Sequence, residues 1–264
     1  MNKPVSSRQL ECWTDGEKKL RNMLKDLKEK HGCVGLKLGT EVEACSFEYI
    51  EYINRLANGI VPVIVKIGGP DARNDIRTLS KIGVSGTIAP MVESTYGLEN
   101  YVSALKEMAG ERFGSWFKGI NIETINGFNM LPKILEMSEA KMLDQITIGR
   151  SDLSGSLGKT VDDLEVIEIC KRITEMAHKA GLLVSVGGGV TPSNAKMVAE
   201  KVEPDKVNTR HVVFSVKDSP DLSVAVKKGL EFEEALLKHE ERELSAELKS
   251  VEERIEELEK RIIR

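Results

Sequence analysis

Between Phe117 and Gly158, two short β-branched runs each lead into a carboxylate. The first, Phe117-Lys118-Gly119-Ile120-Asn121-Ile122, runs into Glu123-Thr124. The second, through Ile146-Thr147-Ile148, passes Gly149-Arg150-Ser151 and reaches Asp152. Such runs, closing on polar and glycine residues, read as buried parallel strands leaving their sheet. Leu131, Ile134, Leu135 and Met137 recur between them at helical spacing, so the unit is strand–helix–strand. That crossover makes the strands parallel and puts Glu123 and Asp152 at the same C-terminal sheet edge. Two carboxylates converging there make a hard-oxygen site for Mg²⁺ or Mn²⁺, with positions left for waters and a chelating substrate. The competing assignment is that each carboxylate caps the helix after it. The pair, more than either residue alone, points to metal.

Barrel enzymes carry their reactive groups on the loops after the strands. The remaining strand exits therefore supply further candidates: Glu41 and Glu43, Lys66, Glu93, Arg150, the Gly187–Gly189 run and Arg210. Lys66 ends the apolar run Val63-Ile64-Val65, where a lone cation is costly unless a carboxylate or a substrate anion pairs with it. Glu41, Glu93 and Glu123 are the available ion-pair partners. A desolvated lysine can also form a Schiff base, but beside two metal-type carboxylates a charged Lys66 that binds or polarises an oxygen fits better. The glycine run either lends backbone amides to a phosphate, with the helix that opens near Thr191, or forms a tight turn that admits a substrate or a neighbouring loop. Arg150 and Arg210 can each grip an anionic group bidentately or pair on the surface.

The elements that hold these residues alternate regularly. A helix spans Asp15 to His31 with Gly32 as its C-cap, and a second starts after Ser46 and stops at Asn58-Gly59. Strands are expected at Cys33–Leu38, Pro62–Ile67, Val84–Ala89, Phe117–Thr124, Asp144–Gly149, Leu182–Val186 and Val207–Ser215, with helices between them. This alternation, unbroken by a linker, reads as one parallel α/β domain. A (β/α)₈ TIM-type barrel is favoured over an open sheet, because ~250 residues is its usual size and no dinucleotide fingerprint follows the first strand. The count is seven strands, so an eighth should lie in the first dozen residues, or the N-terminal helix covers a gap.

Composition narrows the function class. The 264 residues carry a net charge of −4 and no basic stripe with interleaved aromatics, which argues against a nucleic-acid binder. No apolar run approaches the ~18 residues of a membrane span, and the N-terminus has no signal-peptide core. Cys12, Cys33, Cys45 and Cys170 show no CxxC spacing, and the four histidines are scattered, so neither a zinc site nor a disulfide framework is indicated. Reduced thiols and a cytoplasmic location are the expectation.

The barrel is expected over residues 1–229, followed by an amphipathic C-terminal helix over 230–264. Leu244, Leu248, Val251, Ile255, Leu258 and Ile262 alternate by four and three over a Glu/Lys/Arg background, a heptad seam too short to hold a coiled coil alone. It reads either as a helix packed on a neighbouring subunit of a homo-oligomer or as a terminal helix on its own barrel.

The pattern Ile122-Glu123-Thr124, then Ile148-Gly149-x-x-Asp152-Leu153-Ser154-x-Ser156-Leu157-Gly158, resembles the class II, metal-dependent 2-oxo acid aldolase and citrate lyase β-subunit family. Val63-Ile64-Val65-Lys66 and Pro90-Met91-Val92-Glu93-Ser94 fall in that family's order and spacing, and the likeness spans roughly residues 34–215. It implies a phosphoenolpyruvate/pyruvate-type barrel, often with a terminal helix exchanged between subunits, and Mg²⁺ or Mn²⁺ on Glu123 and Asp152. It also implies a metal-chelated 2-oxo acid whose enolate the ion stabilises, and a substrate carboxylate held by the backbone at Gly149, Arg150 and Ser151. Some positions depart from the family. Lys66 stands where an arginine is usual and cannot grip bidentately. Gly39 replaces an acid, Glu41 keeps the glutamate, no histidine follows it, and Arg150 stands where small residues or proline are common.

The expected function is therefore a metal-dependent carbon–carbon lyase or aldolase acting on a pyruvate-like 2-oxo acid. In it Lys66 and Glu41 are catalytic, Gly149, Arg150, Ser151 and Arg210 bind substrate, and Glu123 and Asp152 bind metal. A citrate-lyase-type acyl-CoA lyase and a non-catalytic metabolite-binding barrel are the alternatives.

Overall fold

The computed structural model describes residues 13–243 and 249–263. Helix α1 (Asp15–His31) comes first. Thr14 and Glu17 close its N-terminus as a reciprocal capping box, and Gly32, at φ 72°, ends it in the left-handed conformation that glycine adopts without strain. Eight strands follow: β1 (Cys33–Gly39), β2 (Val63–Lys66), β3 (Gly86–Ala89), β4 (Phe117–Ile122), β5 (Gln145–Gly149), β6 (Leu183–Gly187), β7 (Lys206–Asn208) and β8 (Val212–Ser215). They pair in that order into a closed barrel. The crossovers carry α2 (Phe47–Ala57), α3 (Arg73–Ile82), α4 (Thr95–Ala109), α5 (Ile125–Leu135), α6 (Arg150–Ser156), α7 (Leu164–Lys179) and α8 (Ala195–Val202). Ser46, Ser94 and Thr124 cap α2, α4 and α5 with their side chains.

The eighth strand is not where the sequence suggested. The segment Val207–Ser215, read as one strand, is a hairpin: Thr209-Arg210-His211 turns the chain, and β8 runs antiparallel to both β7 and β1. Its apolar residues make the segment look continuous, but the polar triplet breaks it. The turn is anchored from outside the hairpin by Glu233, whose Oε1 accepts from His211 N–H at 2.7 Å, from Val212 N–H at 3.2 Å and from the Thr209 hydroxyl. A hairpin needs no crossover helix. Because β7 is parallel to β6, the turn lies at the mouth where the parallel strands end.

The strands bury both faces. Ile120, Ile122, Ile146, Ile148, Val184 and Val186 are fully buried in the hydrophobic core. The alternate positions make a polar lumen. Lys206 Nζ reaches Gln145 Oε1 across β6 at 2.8 Å, Gln145 donates to Thr147, and Ser185 donates to Asn208 at 2.6 Å. These groups are hydrogen-bonded to each other, as buried polar groups must be.

The last two described elements are α9 (Leu222–Glu243) and α10 (Lys249–Ile262). The boundary expected after residue 229 falls inside α9, whose Leu230, Phe232, Leu236 and Leu237 belong to the barrel's core. Of the heptad seam, Leu244 and Leu248 lie outside the described residues. Leu258 is buried in the chain's own core, with Ile255 and Ile262 packed against it. Arg261 adds a hydrogen bond to the Val190 carbonyl at 2.8 Å. Ile255, Leu258 and Ile262, the described side chains of the seam, thus pack on the chain's own barrel. Glu253, Glu256 and Lys260 form an exposed charged face on α10. Among the described residues no helix is long and apolar enough to cross a membrane, and Cys33, Cys45 and Cys170 are free and buried.

Candidate active site

Glu123 leaves β4 at the mouth and is only 3% exposed. Its Oε1 accepts from Met91 N–H at 2.9 Å and its Oε2 from Asn121 Nδ2 at 2.8 Å. It does not cap α5. That task falls to Thr124, which accepts from Gly127 N–H at 3.1 Å. Met91 holds a positive φ of 51°, a conformation that costs a non-glycine residue about 1–3 kcal/mol and persists where its surroundings over-determine it. Here the strained backbone delivers an N–H to a buried carboxylate.

Gly149, the last residue of β5, makes room for this arrangement. A Cβ there would sit 2.7 Å from Glu123 Oε2 and 2.8 Å from Glu123 Cβ. Because the φ at Gly149 is −89°, an alanine suits the backbone and only the Glu123 contact opposes it. Gly149→Ala is therefore expected to lower stability by about 1–3 kcal/mol, the usual cost of overpacking, and, where Glu123 holds a divalent ion, to weaken that ion's affinity by displacing Glu123. Urea unfolding and metal titration would check both; unchanged metal affinity would separate Glu123 from the ion.

Asp152 lies in the first turn of α6 and is exposed. Gly149 occupies the cap position there, without a side-chain cap. Burial holds the Glu123 carboxyl above its ordinary range and the Asp152 charge pushes the same way, while Met91 N–H, Asn121 and Lys66 oppose them. Two like charges, one of them buried, fit a divalent cation. Among the described residues no three His, Cys, Asp or Glu side chains gather as a complete ligand set. Mg²⁺ needs only one or two carboxylates when waters and substrate oxygens fill its other positions.

Lys66 ends β2, 7% exposed, with Nζ 3.3 Å from Glu41 Oε2 and 3.7 Å from Glu43 Oε2. Glu43 is shared, because Lys37 Nζ lies 3.3 Å from its Oε1. Burial lowers the proton affinity of Lys66; Glu43, Glu41 and Glu123 outweigh it and raise that affinity above its ordinary value. Burial likewise opposes ionisation of Glu43, but Lys37 and Lys66 pull it down to about 2. A tight loop aims both glutamates at Lys66: Ala44 has φ 49°, and a Cβ at Gly39 would overlap the Glu43 carboxylate. Glu93 accepts instead from the Thr124 hydroxyl.

The structure does not bring every candidate to this cluster. The Arg150 side chain is fully buried, donates to Asp162 Oδ1 at 3.1 Å and lies in the fields of Asp162 and Cys170. Only its backbone sits at the mouth. Ser151 is next to it, and Gly188 packs where a Cβ would meet Ser151 N at 2.5 Å. With φ of 83° at Gly188 and 63° at Gly189, the glycine run acts as a turn that lets the start of α6 approach. The helix after it opens only at Ala195. Arg210 stands in the β7–β8 turn, 3.9 Å from Glu257 on α10.

His211 was not foreseen. No histidine follows Glu41 within the exit of β1, yet the β7–β8 turn sets His211 beside β1, its Nδ1 3.1 Å from the Lys37 carbonyl. It is 2% exposed, burial lowers its proton affinity, and Glu43 and Glu233 partly restore it. The polar triplet inside an apolar run was the available signal.

A closed eight-stranded barrel with carboxylates and a buried lysine at the strand exits defines a TIM-type barrel protein with its candidate site at the C-terminal mouth. A family model described as HpcH/HpaI aldolase/citrate lyase matches residues 48–199, more than half of the sequence, and the chain belongs to that family. No curated protein matches the sequence. Solved structures share the fold at low identity. The citrate synthase SbnG is 20% identical with a TM-score of 0.53, over 69% of this chain and 87% of that one. An HpcH/HpaI aldolase from Desulfitobacterium hafniense DCB-2 is 20% identical with a TM-score of 0.54, over 67% and 86%. RipC from Yersinia pestis is 14% identical with a TM-score of 0.52, over 74% and 93%.

Proposed function

We propose that the protein is a metal-dependent carbon–carbon lyase or aldolase that makes or breaks a bond to a pyruvate-like 2-oxo acid. Membership of the HpcH/HpaI family supports the lyase or aldolase class. The observation that carries the finer reading is Glu123: a buried carboxylate, held above its ordinary range by burial and by Asp152, within the field of a buried lysine.

In this reading Glu123 and Asp152 hold Mg²⁺ or Mn²⁺, which when bound supplies the Lewis acidity that favours the enolate of a 2-oxo acid. Lys66 stays charged beside Glu41 and Glu43 and binds the substrate oxygen that gains negative charge. It acts as a point charge, where an arginine would grip with a fork. Glu41, less buried than Glu43, accepts or returns a proton at the mouth, while Glu43 stays ionised and fixes Lys37 and Lys66. The backbone at Gly149, Arg150 and Ser151 receives the substrate carboxylate.

Calorimetric titration of oxalate, which mimics the pyruvate enolate, tests the site. Binding is expected with Mg²⁺ or Mn²⁺, is expected to vanish in EDTA, and is expected to vanish in Asp152→Ala while the metal-free unfolding midpoint stays unchanged. Oxalate binding that ignores both metal and Asp152 would overturn the assignment and favour the metabolite-binding alternative.

A further inference from the structure

Helix α10 lies over the β7–β8 turn, and the two enclose a cavity of about 10 Å³. Arg210 and His211 line it from the turn, and Arg254, Glu257 and Arg261 from the helix. A space of that size holds one water, provided that a few polar groups surround it.

Two of the lining side chains carry buried nitrogens with no hydrogen-bond partner among the described residues. They are Arg254, at Nε and Nη2, and His211, at Nε2. His211 is 2% exposed, so its ring has no solvent to turn to. Its Nδ1 lies 3.1 Å from the Lys37 carbonyl, which only accepts, so Nδ1 carries the ring proton. Nε2 of the neutral ring is then an acceptor, whereas the Arg254 guanidinium only donates. The two do not bond each other directly. A water satisfies both, accepting from Arg254 and donating to Nε2; a carboxylate or a halide has no proton to give.

A proton on Nε2 would undo this arrangement. The ring would keep no lone pair for the water, and its new charge would share the cavity with Arg254, Arg210 and Arg261. The facing carboxylates are already engaged. Glu233 on α9 accepts from the turn, Glu43 at the exit of β1 sits between Lys37 and Lys66, and Glu257 is exposed, 3.9 Å from Arg210. Glu240 on α9 lies in the field of Arg254, and burial raises its own proton affinity. Burial, helped by Arg254, keeps the His211 ring below its ordinary value of 6.5, against Glu233, the Lys37 carbonyl and Glu43.

We propose that one buried water pins α10 to the β7–β8 turn through Arg254 and His211, and that protonation of His211 releases the helix. The pin bears on the mouth because Arg261 of α10 donates to the Val190 carbonyl at 2.8 Å. Val190 follows the glycine run against which the start of α6 packs, so the docked helix braces the loop after β6. Once α10 leaves, His211 regains its ordinary proton affinity. Between the two values the released state binds more protons, so docking is strongest above pH 6.5 and weakens as pH falls below it.

Amide hydrogen exchange of the full-length protein, corrected for the intrinsic rate at each pH, reads the pin. Protection of residues 249–263 and 187–194 is expected to fall about tenfold or more between about pH 7.5 and about pH 5.5, the range over which histidine titrates. The strands β4 and β5 should keep theirs. His211→Gln, which takes up no proton, should hold its protection constant over that range, while Glu240→Gln should respond as the wild type does. At the upper pH, Arg254→Met should lower protection of α10 and Arg254→Lys should recover part of it. Wild-type protection that ignores pH overturns the proposal, as does a pH response that survives His211→Gln or disappears in Glu240→Gln. Unchanged protection in Arg254→Met removes the water from the pin and overturns it equally. Should His211→Gln fail to fold, the NMR titration of the His211 ring in the wild type decides: its midpoint should coincide with the loss of α10 protection, and separate midpoints overturn the proposal.

Discussion

Replacing Glu123 with Gln is expected to move stability in opposite directions with and without divalent metal. In the metal-free protein the ionised carboxylate is disfavoured by burial and by Asp152. Its proton affinity is therefore higher in the folded chain than in the unfolded one. Between the unfolded value of 4.5 and the raised folded value the native state binds more protons, so this group's contribution to stability falls as pH rises through that window. A neutral amide removes the penalty. It also fits: the new side chain can keep the Met91 N–H on its oxygen, and Asn121 can flip so that its Oδ1, which has no hydrogen-bond partner among the described residues, accepts from the amide nitrogen. Glu123→Gln should thus unfold at a higher temperature than the wild type in EDTA at neutral pH, with a flatter pH profile. On the proposed reading, Mg²⁺ at a hundred times its Kd should add about 2.7 kcal/mol to the wild type and nothing to the variant. Thermal unfolding in EDTA and in Mg²⁺ reads both effects, and equal metal stabilisation of the two proteins would remove Glu123 from the ion.

Glu233→Ala should be the most damaging single change to the fold. The Glu233 carboxylate is wholly buried, and three donors from the β7–β8 turn converge on its Oε1. Truncation strands His211 N–H inside the protein and leaves the Thr209 hydroxyl only the Val212 carbonyl, at 3.2 Å. Hydrogen bonds to a charged group contribute about 1.5–3 kcal/mol each, and Val212 N–H retains the Thr209 hydroxyl as a second acceptor, so a net loss of about 3–5 kcal/mol is expected. Glu233→Gln keeps the accepting oxygen and should cost far less. Urea unfolding at an unchanged m-value gives the stability difference. A cost below about 1 kcal/mol, less than one such bond is worth, would mean that the turn holds its shape without Glu233.

Much of this was legible in the sequence because it depends on short-range patterns. α1 ends at the glycine and α2 opens after the serine that local chemistry marked. β1 to β6 lie on their apolar runs, since a strand buried on both faces reads as continuous hydrophobicity. The lumen's polar residues were overlooked for the same reason: Asn121, Thr147 and Ser185 look like interruptions until β-pairing sets them side by side. Lys66 was flagged by its cost, and the structure resolves that cost with Glu41 and Glu43. The hairpin was hidden because its anchor, Glu233, is 22 residues beyond His211.

By itself the sequence determined the barrel class, the strand exits and the order of charged residues around the mouth, because periodicity and caps act over a few residues. Only the tertiary structure decided which of those charges meet. It turned the Arg150 side chain away to Asp162, brought His211 to the exit of β1, and folded α10 back so that Arg254 and Arg261 stand beside Arg210. Those outcomes follow from barrel closure and from burial of the Leu258 seam, which join residues far apart in the chain, and no local pattern records them.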